Sequence, residues 1–363
     1  MALIAENMNN FFKGKKVLVT GHTGFKGSWL TAVLLQWGAD VVGVSLPPGT
    51  QPNLFSILNL EQRIRNHFLD IRDFDALKKV VADECPEIIF HLAAQAIVRT
   101  SYDDPLTTYS TNTLGTANIL QAIHEVGFVK AAVIITTDKV YKNFEWAYPY
   151  RENDVLGGYD PYSASKAAAD IIAQSYMQSF FNPKDFGKKH QTLVSIARAG
   201  NVIGGGDWAE YRLVPDIVRS IYEKDERVII RSPRAIRPWE HVLEPLSGYL
   251  ELASGLYAGK LEYSDAWNFG PDHESFVNVE ELVKRATLLL GKGTYEVQED
   301  KTKHEAGILM LDTTKAKSLL RWSPKLKFEE NIDFTFSWYK NYYEKAEDPI
   351  EFTDAQIRKF FQA

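Results

Sequence analysis

TGHTGFKG, residues 20–27, begins at the last residue of the apolar run KVLVT (16–20) and leads into SWLTAVLLQWG (28–38). Its glycines, Gly21, Gly24 and Gly27, stand three apart. A β-branched run reads as a buried strand, and the apolar stretch ending at Gly38 reads as a helix. Glycines between the two let the chain turn sharply and let its backbone come close to a pyrophosphate. The helix start then offers free N–H groups and the positive end of its dipole. An ordinary tight strand–helix turn is the alternative, and the strand before and helix after the loop favour the nucleotide reading.

The same alternation continues outward from this loop. DVVGVS (40–45), HFLD (67–70), EIIFHLA (87–93), AAVIIT (131–136) and TLVSIA (192–197) are further strands, separated by helical patterns at 73–83, 105–126 and 161–181. Repeated strand–helix units predict an α/β fold: a Rossmann-type doubly wound parallel sheet covered on both faces. After residue 200 the pattern loosens. NVIGGGDW (201–208) reads as a loop, followed by helix-like DIVRSIYEK, strand-like RVIIRS and a helix at 278–290. The expected organisation is a nucleotide-binding domain over 1–200 and a smaller mixed substrate domain over 201–363. Residues 236–262 within the latter are expected to pack back on the first.

Bulk composition limits the function classes. The chain has 363 residues, 45% hydrophobic and 24% charged, with a formal charge of −6. No basic run suits nucleic acid or an anionic membrane. No apolar run approaches the ~18 residues that would span a bilayer, and the N-terminus lacks a signal peptide's pattern. The single cysteine, Cys85, precludes an internal disulfide and reads as structural filler. A cytoplasmic protein is expected. The eight histidines form no metal-ligand spacing, so no metal is expected.

A ribose-binding acid is expected at the end of the second strand, where Val44, Ser45 and Leu46 stand instead. No arginine stands there for a 2′-phosphate, so NAD is favoured over NADP. Asp70, ending the third strand, reads either as an adenine-side contact or as a helix cap. His22 and Lys26 read either as phosphate contacts or as solvated side chains.

Two further motifs suggest chemistry. YSASK (162–166) puts Tyr162 and Lys166 one helical turn apart on one face. A nearby ammonium lowers a phenol's pKa, giving a base for an alcohol proton as hydride leaves for nicotinamide. TTDKVY (136–141) holds an acid and a base, Asp138 and Lys139, side by side at the mouth of a buried strand. Without further context a simple salt bridge between them is an even alternative.

TGHTGFKG, HLAAQ (91–95), TTDKVY and YSASK, in that order and at those intervals, resemble the extended short-chain dehydrogenase/reductase family over most of the chain. Asp–Lys after the Thr, with NVIGGGDW and RPWEHV (237–242), resembles its CDP-glucose 4,6-dehydratase branch. The resemblance implies oxidation of a hexose at C4, loss of water across C5–C6 and hydride return to C6, with NAD regenerated each turn. It implies that Thr137, Tyr162 and Lys166 serve the oxidation, that Asp138 protonates the leaving 6-hydroxyl, and that Lys139 takes the C5 proton. Both members of that pair would then carry protonation states opposite to those in water. For the cofactor it implies Gly21, His22, Thr23, Gly24, Phe25, Lys26 and Gly27; then Asp70, Ile71, Leu92, Ala93, Ala94 and Thr136, with Tyr162 and Lys166. For the nucleotide sugar it implies Gln95, Asn201, Gly206, Asp207, Trp208 (covering a base or ribose), Arg219, and Arg237 with His241 at the diphosphate. Paired helices 105–126 and 161–181 imply a homodimer or tetramer. A nucleotide-sugar 4-epimerase, or a 4,6-dehydratase for another nucleotide-glucose, is the alternative; the epimerase would not need the Asp–Lys pair.

Overall fold

A computed structural model describes residues 8–298 and 309–362. Strands β1 (Lys16–Thr20), β2 (Asp40–Ser45), β3 (Arg65–Phe68), β4 (Ile88–His91), β5 (Ala131–Ile135) and β6 (Leu193–Ala199) form one parallel sheet. A seventh strand, Ala266–Phe269, adds in parallel beside β6. Its order is the seventh strand, then β6, β5, β4, β1, β2 and β3. The six strands read from sequence are all present. The seventh, AWNF, lies beyond the stretch where strand–helix alternation is visible.

Strands buried on both faces must be apolar throughout, and β1, β2, β4, β5 and β6 are nearly continuous buried runs. The helices Phe25–Gln36, Phe74–Glu84, Gly115–Val126 and Pro161–Ser179 cover the sheet, and Leu243–Tyr257 packs against β5 and β6. One hydrophobic core carries Val17, Val19, Phe90, Val133 and Ala197 together with Leu246, Leu250, Phe336 and Trp338 from beyond residue 240. A second, on the other face, carries Leu18, Val42, Ile89, Ile134 and Ile196. Cys85 is exposed and caps the helix Phe74–Glu84 in the left-handed region at φ 49°, so it terminates a helix rather than filling a core.

The strand order reverses between β1 and β4, and in open parallel sheets ligands bind beyond the carboxyl ends at such a switch point. Here those two ends are tied together. Thr20 Oγ1 and His91 Nδ1 are 2.8 Å apart, and the Ala93 amide donates to Thr20 Oγ1 at 3.2 Å. The expected helix at 105–126 contains a π-helical turn at Ser110–Leu114 between Pro105–Tyr109 and Gly115–Val126. That widened turn aims Asn112 inward, where its amide donates to Ser165 Oγ at 2.8 Å and to the Gln95 carbonyl at 2.9 Å.

Candidate active site

A continuous cleft of ≈ 2530 Å³ opens over the carboxyl ends of β1, β4 and β5 and runs on to residues 199–239. At the β1 end, Gly21 sits at φ +75°, and a Cβ there would lie 2.7 Å from the Ala93 nitrogen. A Cβ on Gly27 would lie 2.1 Å from the Gly21 carbonyl oxygen. Only glycine permits this closeness. The helix Phe25–Gln36 starts from Gly24 with no side-chain cap and no acid in its first turn, so its first N–H groups are free for an anion. Thr23 Oγ1 bonds Ser45 Oγ and the Leu46 carbonyl, each at 2.9 Å. This cradle, with Ser45 and Leu46 lining the end of β2, fits the dinucleotide NAD. Asp70 lines the cleft too, with its carboxylate held by Arg72 at 2.6 Å and drawn below its usual range by that bond.

Beyond β5 the chain makes a single 3₁₀ turn, Asp138–Val140, capped by Thr137. The Thr137 hydroxyl donates to Asp138 Oδ1 at 2.8 Å. Asp138 is 3% exposed. Burial raises its pKa, against the opposing pull of the Lys139 charge, the Thr137 hydroxyl and Lys26. A rise of this kind favours the protonated carboxyl, the form a general acid needs. Lys139 is half-buried, its Nζ 5.9 Å from the centre of the Tyr162 ring. No ion pair within contact distance joins it to Asp138, so the salt-bridge alternative is not what the structure shows.

The helix Pro161–Ser179 starts at Asp160, which accepts from the Ser163 amide, and presents Tyr162 and Lys166 to the cleft. A lowered phenol pKa, expected from their spacing, is not found. Lys166 Nζ donates to the Ile135 carbonyl at 2.7 Å. Burial pushes Tyr162 up to about 12, with the Thr137 hydroxyl opposing, and pushes Lys166 down to about 8. Desolvation is the dominant influence on both groups. Behind them, Arg198 and Asp170 form a fully buried bidentate pair, Nε and Nη2 each 2.8 Å from a carboxylate oxygen. Asp170 also accepts from Thr136 Oγ1 at 3.1 Å, which ties this helix to the end of β5.

All the residues expected at the chemistry line the one cleft: Thr137, Asp138, Lys139, Tyr162 and Lys166. Gly21, Thr23, Gly24, Phe25, Lys26, Gly27, Asp70, Ile71, Leu92, Ala93, Ala94 and Thr136 line it too, as do Asn201, Asp207, Arg219 and Arg237. Five of the expected residues lie off this lining: His22, Gln95, Gly206, Trp208 and His241. His22 is fully buried behind the loop, its Nε2 2.6 Å from Asn66 Oδ1 and its ring edge-on to Phe55. Gln95 spends its amide on the Ile97 carbonyl and Thr108 Oγ1, while its Oε1 accepts from the Ile97 amide, bracing its own loop. Gly206 backs onto Leu54. The Trp208 ring packs edge-on to Trp338, Tyr339 and Tyr342, and its Nε1 donates to Tyr343 at 3.1 Å. His241 lies between Trp29 and Phe334, and burial drives its pKa down to about 3. Apart from Ile97, two residues after Gln95, these partners are distant in sequence, so local pattern gives little sign of them.

Arg212, which no sequence motif marks, also lines the cleft, paired with Asp207 at 2.9 Å. Arg219 donates to the Trp208 carbonyl and to Asp216, and with Arg237 gives the far end of the cleft a cationic wall. That wall suits a diphosphate.

Residues 18–335 match the model of the GDP-mannose 4,6 dehydratase family. The chain is 46% identical to a CDP-glucose 4,6-dehydratase of Salmonella typhimurium, over 98% of each. It is 25% identical to a UDP-glucose 4-epimerase of Mycoplasma pneumoniae, over 91% of this chain and 98% of the other. Among solved structures, the dTDP-glucose 4,6-dehydratase DesIV of Streptomyces venezuelae, with NAD and TYD bound, superposes with a TM-score of 0.75 at 24% identity, covering 92% of this chain and 99% of that one.

Proposed function

The chain belongs to the GDP-mannose 4,6-dehydratase family, and from that premise we propose that it converts CDP-D-glucose to CDP-4-keto-6-deoxy-D-glucose in an NAD-dependent 4,6-dehydration. The observation that carries this is the 46% identity along 98% of the chain to an enzyme of that name. The Asp138–Lys139 step beside Tyr162 and Lys166 in one cleft supports it. NAD, when bound, supplies a cationic ring and a reversible two-electron acceptor.

The chain's own groups do the rest. Tyr162 takes the proton of the sugar 4-hydroxyl, with Lys166 and Thr137 holding it in place. A positive charge brought beside the phenol offsets the burial that now holds its proton. Once C4 is a ketone, the C5 proton is acidic, and Lys139 takes it in the neutral amine form that this step requires. Asp138, buried and protonated, gives its proton to the 6-hydroxyl as that group departs as water. The acid role needs shelter from water, and the burial of Asp138 supplies it. Arg219, Arg237 and the Asp207-bound Arg212 take the diphosphate, and Asn201 orients the sugar.

Among the described residues no helix is long and apolar enough to cross a membrane. An exposed free cysteine suits a reducing cytoplasm. Leu106 and Tyr102, 79% and 57% exposed, lie with Leu114 and Ile171 on the helices at 98–126 and 161–179. We assign this apolar face to a second copy of the chain.

Purified protein incubated with NAD and CDP-glucose is expected to give a keto-sugar lighter than substrate by one water. A product of unchanged mass would mean epimerisation and overturn the reading. A thermal-shift comparison of CDP-, dTDP-, GDP- and UDP-glucose tests the base, with CDP-glucose expected to stabilise most.

A further inference from the structure

Asp207 lies in no strand or helix and is only 6% exposed. Its backbone groups therefore need partners from outside regular structure. Both come from one hydroxyl. Tyr339, in the helix Phe328–Glu344 and 132 residues along the chain, accepts from the Asp207 amide at 3.0 Å and donates to the Asp207 carbonyl at 2.6 Å. Tyr339 is fully buried, its ring edge-on to Trp208 and Trp338. Burial holds the phenol protonated well above its usual range, so it stays a donor. The same helix closes on the preceding turn, where a Cβ on Gly205 would lie 2.1 Å from the Trp338 ring. With its backbone fixed, Asp207 directs its carboxylate. Oδ1 accepts from the Ala209 amide at 3.0 Å, and Oδ2 accepts from Arg212 Nη1 at 2.9 Å. Arg212 lines the cleft.

We propose that Tyr339 is a positioning residue for substrate binding: by gripping both backbone groups of Asp207 it sets the carboxylate that aims Arg212 at the diphosphate of the nucleotide sugar. This rests on the function proposed above. An arginine binds phosphate oxygens bidentately only when its planar fork is held in register with them. A free arginine samples many rotamers, and ordering it on binding weakens affinity. The relay from Tyr339 through Asp207 orders Arg212 before substrate arrives. Neighbouring Arg219 is held differently, by Asp216 at 2.7 Å and the Trp208 carbonyl at 2.8 Å, so mutation can separate the two arginines. Tyr339 lies past residues 18–335, which the family model matches. The relay therefore couples recognition of the diphosphate to a C-terminal segment outside that common stretch.

The test is calorimetric binding of CDP, which carries the diphosphate without the sugar, to the full-length protein loaded with NAD. Tyr339→Phe keeps the ring and deletes the hydroxyl. Its Kd for CDP is expected to rise about tenfold, the loss of one charged hydrogen bond. In dehydration, KM for CDP-glucose should rise by a larger factor than kcat falls. NAD affinity of the same variant should stay within about twofold of the parent. Two comparisons separate this from a merely structural role. Thr353→Val removes the hydroxyl that Trp338 Nε1 reaches at 2.8 Å. It should lower the melting temperature and leave CDP binding within about twofold. In an Arg212→Met background, Tyr339→Phe should add less than about twofold, because the relay then has no end. A CDP constant unmoved by Tyr339→Phe, an equal loss in Thr353→Val, or an undiminished loss without Arg212 overturns the proposal. If Tyr339→Phe does not fold, Asp207→Asn cuts the next link, and a CDP constant it leaves unmoved overturns the proposal equally. Absence of CDP binding by the parent would instead overturn the proposed function.

Discussion

Asp170→Ala removes the carboxylate from the Arg198 guanidinium. Both side chains are 0% exposed and share two bonds of 2.8 Å. Charged hydrogen bonds of this kind are worth about 1.5–3 kcal/mol each, and breaking a buried pair by deleting one partner costs about 3–5 kcal/mol because the other charge stays stranded. Arg198 keeps two neutral acceptors, the Tyr141 hydroxyl at 2.7 Å and the Glu152 carbonyl at 2.8 Å. Those soften the loss, so about 3 kcal/mol is expected, a large share of an ordinary domain's stability. Equilibrium urea unfolding followed by tryptophan fluorescence measures it. Replacing both partners, Asp170→Leu with Arg198→Met, should recover most of the loss, since apolar isosteres of a buried pair are often neutral. A single Asp170→Ala that costs under about 1 kcal/mol, or a double variant no better than the single, would refute the reasoning. Because Asp170 also holds Thr136 at 3.1 Å, the single variant should lower kcat more than it raises KM, by loosening Tyr162 relative to Thr137.

Lys139→Ala should leave C4 oxidation visible as accumulated reduced-nicotinamide absorbance while product mass stays at background; loss of that absorbance as well would reassign the step. Gly27→Ala places a methyl 2.1 Å from the Gly21 carbonyl oxygen, so the loop must shift and NAD affinity should fall at least tenfold by calorimetry. Glu244, buried and pushed up to about 7, binds its proton more tightly folded than unfolded. Its contribution is therefore complete below the unfolded carboxyl pKa near 4.5 and is lost as pH rises to about 7, a decline of roughly 3 kcal/mol. Glu244→Gln can still accept from the Lys325 and Leu326 amides and should flatten that part of the stability–pH curve, as read by melting temperature.

How much was legible followed the range of the forces involved. Strand, turn and helix signals act over a few residues, so β1–β6, the glycine loop and the Tyr162–Lys166 face could be read directly. The cleft residues on those turns followed, because their direction is fixed by the strand ends that carry them. Trp208 and His241 looked equally suited to a ligand. Their rings instead meet Trp338 and Phe334, more than 90 residues along the chain, and composition cannot say which neighbour wins. The Gln95 amide is taken up by its own loop, which the HLAAQ motif does not reveal. The phenol's pKa was misread because spacing shows a nearby charge and does not show desolvation.

The strand Ala266–Phe269, returning to flank β6 after the chain has traversed the sugar side of the cleft, anchors that excursion at both ends. The segment between is tied to the sheet at residues 199 and 266 and again by the helix Leu243–Tyr257, which packs against β5 and β6, so it has no single-strand hinge on which to swing wide. Cutting the chain after Ala199 would strip the cover from seven consecutive buried residues and leave a sticky ribbon ready to recruit a foreign strand.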